Sequence, residues 1–404
     1  MTASHSREDI FTGDTSAKVM NIGLLSWESL HSIPVGGVGT HVTELGAALE
    51  RKGHEVHVFT RMGPGQQPYE RIHGVHYHRC PFESNPSFVD EIDSMCRSFV
   101  RHVTAAEDLG GPFNIVHAHD WLAASALISI QQRSGRRGIM TIHSTEYGRC
   151  GNNFHAGQSA RIRSQENAGM HCADRVIAVS SALKQEVQSM YEVPDWKIST
   201  IYNGVNVANF DGFIEPAEVK QRYGVGPVDP TVLFVGRLVE QKGPDLLIET
   251  IPSILKYYPQ AKFLFAGEGE LRESVELRAR QLGVANATRF VGFQNNGTLA
   301  DLYKACEVVC VPSRNEPFGI VILEAWSAGK PVVCTKNGGP EEFVWHNVTG
   351  LKVNANPDSI AWGLGTLFAD FEWGRWMGRN GRIAAETVFT WDAIAEQTLA
   401  VYQS

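Results

Sequence analysis

Short apolar segments alternate with amphipathic helical ones almost from end to end of the 404 residues, and that alternation admits few folds. Parallel strands, each returned to its starting edge by a helix, need helices on both faces of the sheet. "KVMNIGLLSW" (18–27) opens the first unit, and "GTHVTELGAALERKGH" follows as its helix, with Val42, Leu45, Ala48 and Leu49 at helical spacing. "EVHVFT", "GVHYHR", "NIVHAHD", "GIMTIHS", "RVIAVS" and "KISTIYNG" complete one sheet. A stretch rich in Gly, Pro and Asp, residues 204–230, interrupts the pattern. It restarts at "TVLFVGR" and runs through "KFLFAGEG", "TRFVGF", "VVCVPS", "PVVCTK" and "GLKV". The fold expected is α/β: two doubly wound Rossmann-like domains, residues 18–208 and 209–385, facing a deep cleft, behind a mobile polar leader at 1–17. Ligands of such sheets sit beyond the carboxyl ends of the strands, so the loops at those ends carry the chemistry.

Composition narrows the partners. A net charge of −8 argues against nucleic acid or an anionic membrane surface as the main partner. No apolar run reaches the length of a membrane span, and "MTASHSREDIFTGDTSAK" lacks the hydrophobic centre of a signal peptide, so stable membrane insertion is not expected. The seven cysteines are odd in number, contain no C-x-x-C pair, and fit a reducing, cytoplasmic compartment. Asn286, Asn296 and Asn347 sit in sequons that such a chain uses for loop and turn chemistry. Oligomeric state is not readable.

The strand-end loops hold the candidates. After the first strand, Gly36 and Gly37 precede a helix, where backbone N–H groups can approach an anion closely; tight strand-to-helix turns use glycine for geometry alone as well. "FVGRLVEQKG" places Arg237 at a strand end and Lys242 five residues on. Two cations there suit a diphosphate, although a solvated basic pair has the same spelling. In "SRNEPFGIVILEAWSAGKPVV", Glu316 lies in a loop, and Glu324 stands among Ile320, Val321, Ile322, Leu323, Ala325 and Trp326, where an unpaired carboxylate is expensive. Either a distant Arg or Lys supplies its partner, or a ligand with vicinal hydroxyls, such as a ribose, does. Gly319 opens the helix, whose free N–H groups can meet phosphates. His119 ends the strand "NIVHAHD", and His143, Ser144, Thr145, Glu146 and Arg149 follow the next one as a polar, acceptor-side loop.

Taken together, Gly36 and Gly37, "HAHDW", "GRLVEQKG", "NEPFGIVILEAWSAGKPVV", "GGPEEFV" and "TGLKV" resemble the retaining GT-B glycosyltransferases of family four. That family includes sucrose and sucrose-phosphate synthases and is akin to glycogen and starch synthases. The resemblance runs from about Lys18 to the end. It implies that Arg237 and Lys242 bind the donor diphosphate and steady the leaving group, and that Glu316 holds donor-sugar hydroxyls beside the N–H groups of Phe318, Gly319 and Ile320. It further implies that Glu324 takes the ribose, that Gly37 approaches the phosphates, that His119 meets the sugar near its 6-hydroxyl, and that Val291 and Phe293 flank the base. The last helix, 386–404, would cross back to the first domain. Glycogen synthases that use ADP-glucose carry a lysine before the first-loop glycines; this chain has "IPVGG", which leaves UDP, ADP and GDP open.

The chain contains no Asp-x-Asp, so cations and a helix N-terminus are expected to hold the diphosphate without a metal or other cofactor. The reaction implied is transfer of a hexosyl unit, glucosyl by analogy, from a nucleoside-diphosphate sugar to a saccharide or α-glucan, with retention. The departing phosphate oxygen would take the acceptor's proton. Rival readings are a paired-carboxylate hydrolase using Glu316 and Glu324, an epimerase or phosphorylase, a transferase with a lipid or other small acceptor, and a non-catalytic nucleotide-sugar sensor or subunit.

Overall fold

The computed structural model describes residues 19–404; the leader expected at 1–17 lies outside the described residues. Two sheets account for the strands. The first comprises β1 (Asn21–Leu25), β2 (Glu55–Arg61), β3 (Tyr69–Ile72), β4 (Val75–Cys80), β5 (Ile115–His119), β6 (Arg137–Ile142), β7 (Arg175–Ala178) and β8 (Ile198–Thr200), in the order β3-β4-β2-β1-β5-β6-β7-β8. The second comprises β9 (Thr231–Val235), β10 (Lys262–Ala266), β11 (Thr288–Gly292), β12 (Val308–Val311), β13 (Val332–Thr335) and β14 (Gly350–Val353), in the order β11-β10-β9-β12-β13-β14. This is the expected pair of doubly wound sheets.

One strand departs from the parallel expectation. β3 pairs antiparallel with β4 at the sheet edge, closed by a hairpin at His73 (φ 47°) and Gly74 (φ 83°). Its sequence "YERI" is almost wholly exposed, so it lacks the apolar signature that marks the other strands. Ion-paired, polar side chains on a short edge also blunt it against pairing with another chain.

Each sheet reverses strand order once. In the first, the direction of winding switches between the adjacent parallel strands β1 and β5; in the second, between β9 and β12. Crevices open beyond the strand ends at such switch points. Val42, Leu45, Ala48 and Leu49 are fully buried under the first sheet, and the Gly37–Arg51 helix they belong to also receives the last helix, Trp391–Gln403. Arg51 pairs with Asp392 at 2.6 Å and Lys52 pairs with Glu396, while Tyr402 Oη and His117 Nδ1 share a hydrogen bond of 2.8 Å beneath β5. The chain passes between the sheets twice, and the two passes touch: Val205 N–H donates to Phe389 O at 2.8 Å. Among the described residues no helix is long and apolar enough to cross a membrane.

Candidate active site

Four loops meet in the cleft, one from each side of the two switch points. The β9 loop carries Arg237 and Lys242, and the β12 loop carries Ser313 to Ile320. Glu316 is buried, and Lys242 Nζ donates to both its oxygens, at 2.9 and 2.8 Å, with Ser313 Oγ adding a third bond at 2.8 Å. So Lys242, expected to face the diphosphate directly, spends its charge on orienting Glu316. The backbone fixes the carboxylate from the other side: Glu316 N–H donates to Asn337 O at 3.1 Å, and Gly339 N–H to Glu316 O at 2.9 Å. Arg237 remains exposed at the end of β9. Enclosure in the cleft, and then the neighbouring Arg149, pull its pKa down, while Glu28, Glu270 and Glu316 oppose them. No carboxylate lies within ion-pair distance of Arg237 among the described residues, which leaves a cation in want of an anion.

The helix Ile320–Ser327 starts on Gly319, at φ 100°, with no side chain capping it. Ile322 N–H bonds back to Gly319 O at 2.9 Å, which leaves the N–H groups of Ile320 and Val321 free for a ligand. Across the gap, the Gly37 end of the first helix is likewise uncapped, and a Cβ on Gly37 would lie only 3.6 Å from Ile320 Cγ2. Two helix N-termini thus converge from opposite domains, an arrangement that favours anions.

Glu324 has a partner from its own chain, neither a distant cation nor only a ligand. Tyr303 Oη donates to Glu324 Oε2 at 2.7 Å. The carboxylate also borders a cavity of about 50 Å3 between the domains, lined by Leu30, Thr40, Glu44, Asn206 and Phe210 among others. Burial pushes its carboxyl up to about 7, against the downward pull of Tyr303. The folded chain then holds a proton that the unfolded chain releases above pH 4.5. Stability from this group is full below that pH and falls as pH rises towards 7, by about 2–3 kcal/mol. Glu324→Gln removes the titration, so its melting temperature should match wild type near pH 4.5 and exceed it at pH 8. A gap that does not change with pH would show the carboxyl to be unperturbed.

The first domain contributes a buried acid that sequence reading missed. Glu28 Oε2 accepts from Val35 N–H at 2.7 Å and Gly36 N–H at 2.5 Å, shaping the glycine loop from within. Burial raises its pKa, and those two backbone bonds oppose the rise. A Cβ on Gly39 would sit 3.2 Å from the same oxygen. His119 is 1% exposed; its Nδ1 lies 3.2 Å from His143 Nε2, and its Nε2 has no partner. Burial keeps both imidazoles neutral, His143 down to about 3.

The loop after β6 divides between surface and interior. Thr145 caps the turn Glu146–Arg149 and bonds Glu186, and Glu146 is buried against Arg149 at 3.1 Å. Both are buried, and Glu146 helps to position Arg149. Burial weighs against the Arg149 charge, but Glu166, Asp120 and Glu146 together hold it firmly. Ser144 accepts from Arg149 at 2.9 Å and stays partly exposed with His143. Val291 lies in β11, an edge strand of the second sheet, and Phe293 follows its end, largely exposed, with Gln294 Nε2 anchored to Val291 O at 2.6 Å. Direct ties also cross the cleft. Asn315 Nδ2 donates to Asn152 Oδ1 at 2.8 Å, and Glu342 accepts from Ser181 N–H at 2.9 Å, Ala182 N–H at 2.6 Å and Tyr202 Oη at 3.1 Å.

Each half of this architecture matches a known family. Residues 35–209 match Glycosyltransferase Family 4, and residues 217–383 match Glycosyl transferases group 1. An uncharacterized glycosyltransferase of Methanocaldococcus jannaschii is 37% identical over 389 residues, covering 95% of this chain and 98% of its own. A glycogen synthase of Mycobacterium tuberculosis is 29% identical over 95% of this chain and 94% of its own. A D-inositol 3-phosphate glycosyltransferase of Kribbella flavida is 30% identical over 93% and 94%. Among solved structures, sucrose-phosphate synthase from Thermosynechococcus elongatus superposes with a TM-score of 0.80 at 26% identity, over 95% of this chain and 98% of its own. With both switch points facing one cleft and likeness along nearly the whole length, the chain belongs to the GT-B glycosyltransferases, a family 4 amino-terminal half joined to a group 1 carboxyl-terminal half.

Proposed function

We propose that this enzyme is a retaining hexosyltransferase, moving a glucosyl unit from a nucleoside-diphosphate sugar to a hydroxyl of a saccharide or α-glucan without a metal on the diphosphate. The observation that carries it is Arg237: a guanidinium enclosed at a topological switch point, with no ion pair among the described residues, in electrostatic reach of Glu316. A diphosphate would supply the missing anion. It would also meet the uncapped start of the Ile320–Ser327 helix, where negative charge developing on the leaving group is stabilised. Glu316, pre-oriented by Lys242, would accept from donor-sugar hydroxyls, and Glu324 from the ribose. His119 would lie against the sugar, and His143 and Ser144 against the acceptor. Retention follows if the acceptor attacks on the leaving-group face and its proton passes to the departing phosphate oxygen.

The glucosyl assignment leans on the glycogen synthase and sucrose-phosphate synthase among the relatives. A second reading, a small phosphorylated polyol as acceptor, is favoured by the D-inositol 3-phosphate glycosyltransferase and by Arg149, held charged close to Arg237. One experiment separates them. Purified protein is incubated with UDP-, ADP- and GDP-sugars, with and without EDTA, and nucleotide release is followed with water, simple sugars, inositol phosphate or glycogen as acceptor. Acceptor-dependent release from one donor, undiminished by EDTA and reduced about 10²–10³-fold in Arg237→Ala, is the expected result. Tight donor binding with no turnover across the panel would point to the sensor reading, and a product of inverted anomeric configuration would overturn retention.

A further inference from the structure

Three histidines from three different elements meet at the floor of the cleft: His41 from the Gly37–Arg51 helix, His119 from the end of β5, and His143 from the loop after β6. Their ring centroids are 4.6 to 5.5 Å apart, and one ring nitrogen from each lies within 4.8 Å of the other two. We propose that this triad is a binding site for a transition-metal ion of the Zn2+ and Co2+ class, and that the ion inhibits the enzyme by occupying His119.

The hydrogen bonding supports ligation more than mere packing. His41 Nδ1 lies 2.7 Å from Asn203 Oδ1, an acceptor, so the proton sits on Nδ1 and Nε2 presents a lone pair. That Nε2 is buried and has no partner. A second group that fixes the tautomer of a ligating imidazole in this way is what metal sites use. The 3.2 Å between His119 Nδ1 and His143 Nε2 is close to the edge of a tetrahedron with bonds of about 2.0–2.1 Å, which is about 3.3 Å. His41 offers the third ligand atom from within 4.8 Å of both. The neighbouring His117 does not compete, because Thr141 Oγ1 at 2.7 Å and Tyr402 Oη at 2.8 Å satisfy both its nitrogens. The backbone of His143 is itself pinned, donating to Asp120 Oδ1 at 2.7 Å.

Three neutral imidazoles select Zn2+, Co2+, Ni2+ or Cu2+ over Mg2+ and Ca2+, which prefer oxygen. They also leave a fourth position open. His143 is the partly exposed member, so that position faces the cleft and would hold water or a hydroxyl oxygen. The inhibitory consequence rests on the transferase reading above, with His119 against the donor sugar; the metal site itself does not. It is also separate from the diphosphate, so an enzyme that needs no metal for turnover can still be shut by one.

The test is a titration of Co2+ into full-length, EDTA-treated protein, followed by visible absorption. Intense bands of four-coordinate Co2+ at one equivalent, bleached by Zn2+ but not by Mg2+, are expected, with affinity at least tenfold weaker in His41→Gln and in His143→Gln. A second group, Glu55, His57 and His76, also lies within coordinating range at the β2–β4 edge, so His57→Gln is the control. Bands that vanish in His57→Gln and persist in both triad variants overturn the proposal, as does the absence of any four-coordinate spectrum. In turnover assays Zn2+ is expected to raise the apparent KM for the donor and leave kcat unchanged. A Zn2+ effect on kcat alone would overturn the inhibitory role while the spectrum still reports the site, and failure of every donor to turn over would strike the transferase reading without touching the Co2+ result.

Discussion

Lys242→Met is expected to lose about 2–3 kcal/mol of stability and about 10²–10³-fold in kcat, and adding Glu316→Gln should restore the stability but none of the turnover. Removing one partner of a buried ion pair leaves the other charge uncompensated, which is usually worse than removing both. Lys242 keeps 23% of its side chain exposed against 5% for Glu316, so water reaches the site and the loss falls below the roughly 3–5 kcal/mol of fully buried pairs. The lone carboxylate would keep its bond from Ser313 but lose both bonds from Lys242, and denaturant unfolding of wild type, Lys242→Met and the double variant checks the ordering. Turnover does not recover in the double variant because the same pair orients the carboxylate proposed to meet the sugar. Recovery of kcat there would show that the pair serves folding alone.

Gly338→Ala is expected to abolish donor binding with a fold still intact. Gly338 has φ 94°, a conformation L side chains rarely adopt, and an added Cβ would lie 2.2 Å from Glu316 O and 2.9 Å from its carbonyl carbon. The clash falls on the short parallel bridge between Glu316 and Gly338 that seats the loop. The loop must move, and a displacement near 1 Å at a reacting group is worth about 10² in rate. Gly329→Ala is the matched control: φ is 70° there, but nothing lies within 4 Å of the new Cβ. That change should cost about 1 kcal/mol through backbone strain alone and leave kcat/KM near wild type. Calorimetry with the donor nucleotide and thermal melts on both variants decide the matter; equal effects would mean that strain, not loop position, governs.

How much of this was legible beforehand depended on sequence distance. Strands with fully apolar faces, such as "VVCV" and "TVLFV", announced themselves, and because switch-point loops follow strands directly, Arg237, Glu316 and His119 were placed by counting from the strand ends. β3 stayed hidden because its stability comes from edge pairing and a left-handed turn rather than from burial. Interactions between distant segments left no local trace. Tyr303 meets Glu324 from a neighbouring helix, Glu342 reaches about 160 positions back to the start of another helix, and Asn203 orients His41 across a similar span. Glu28 lay within reach of reading, three residues past a strand end, but an acid in "SWESL" carries no mark of the two amides it will hold. Glu146 illustrates the converse: a polar residue in a strand-end loop that is buried and pairs with Arg149.

The return of the final helix to the first domain also sets a sequence of events in synthesis. The last strand of the first sheet ends at Thr200, yet the helix that covers the sheet, and Tyr402 beneath His117, follow nearly two hundred residues later. The amino-terminal half must therefore wait, its helix Gly37–Arg51 uncovered, until that distant helix has been made. A truncated nascent product lacks that cover, so an interrupted translation cannot leave a complete catalytic floor behind.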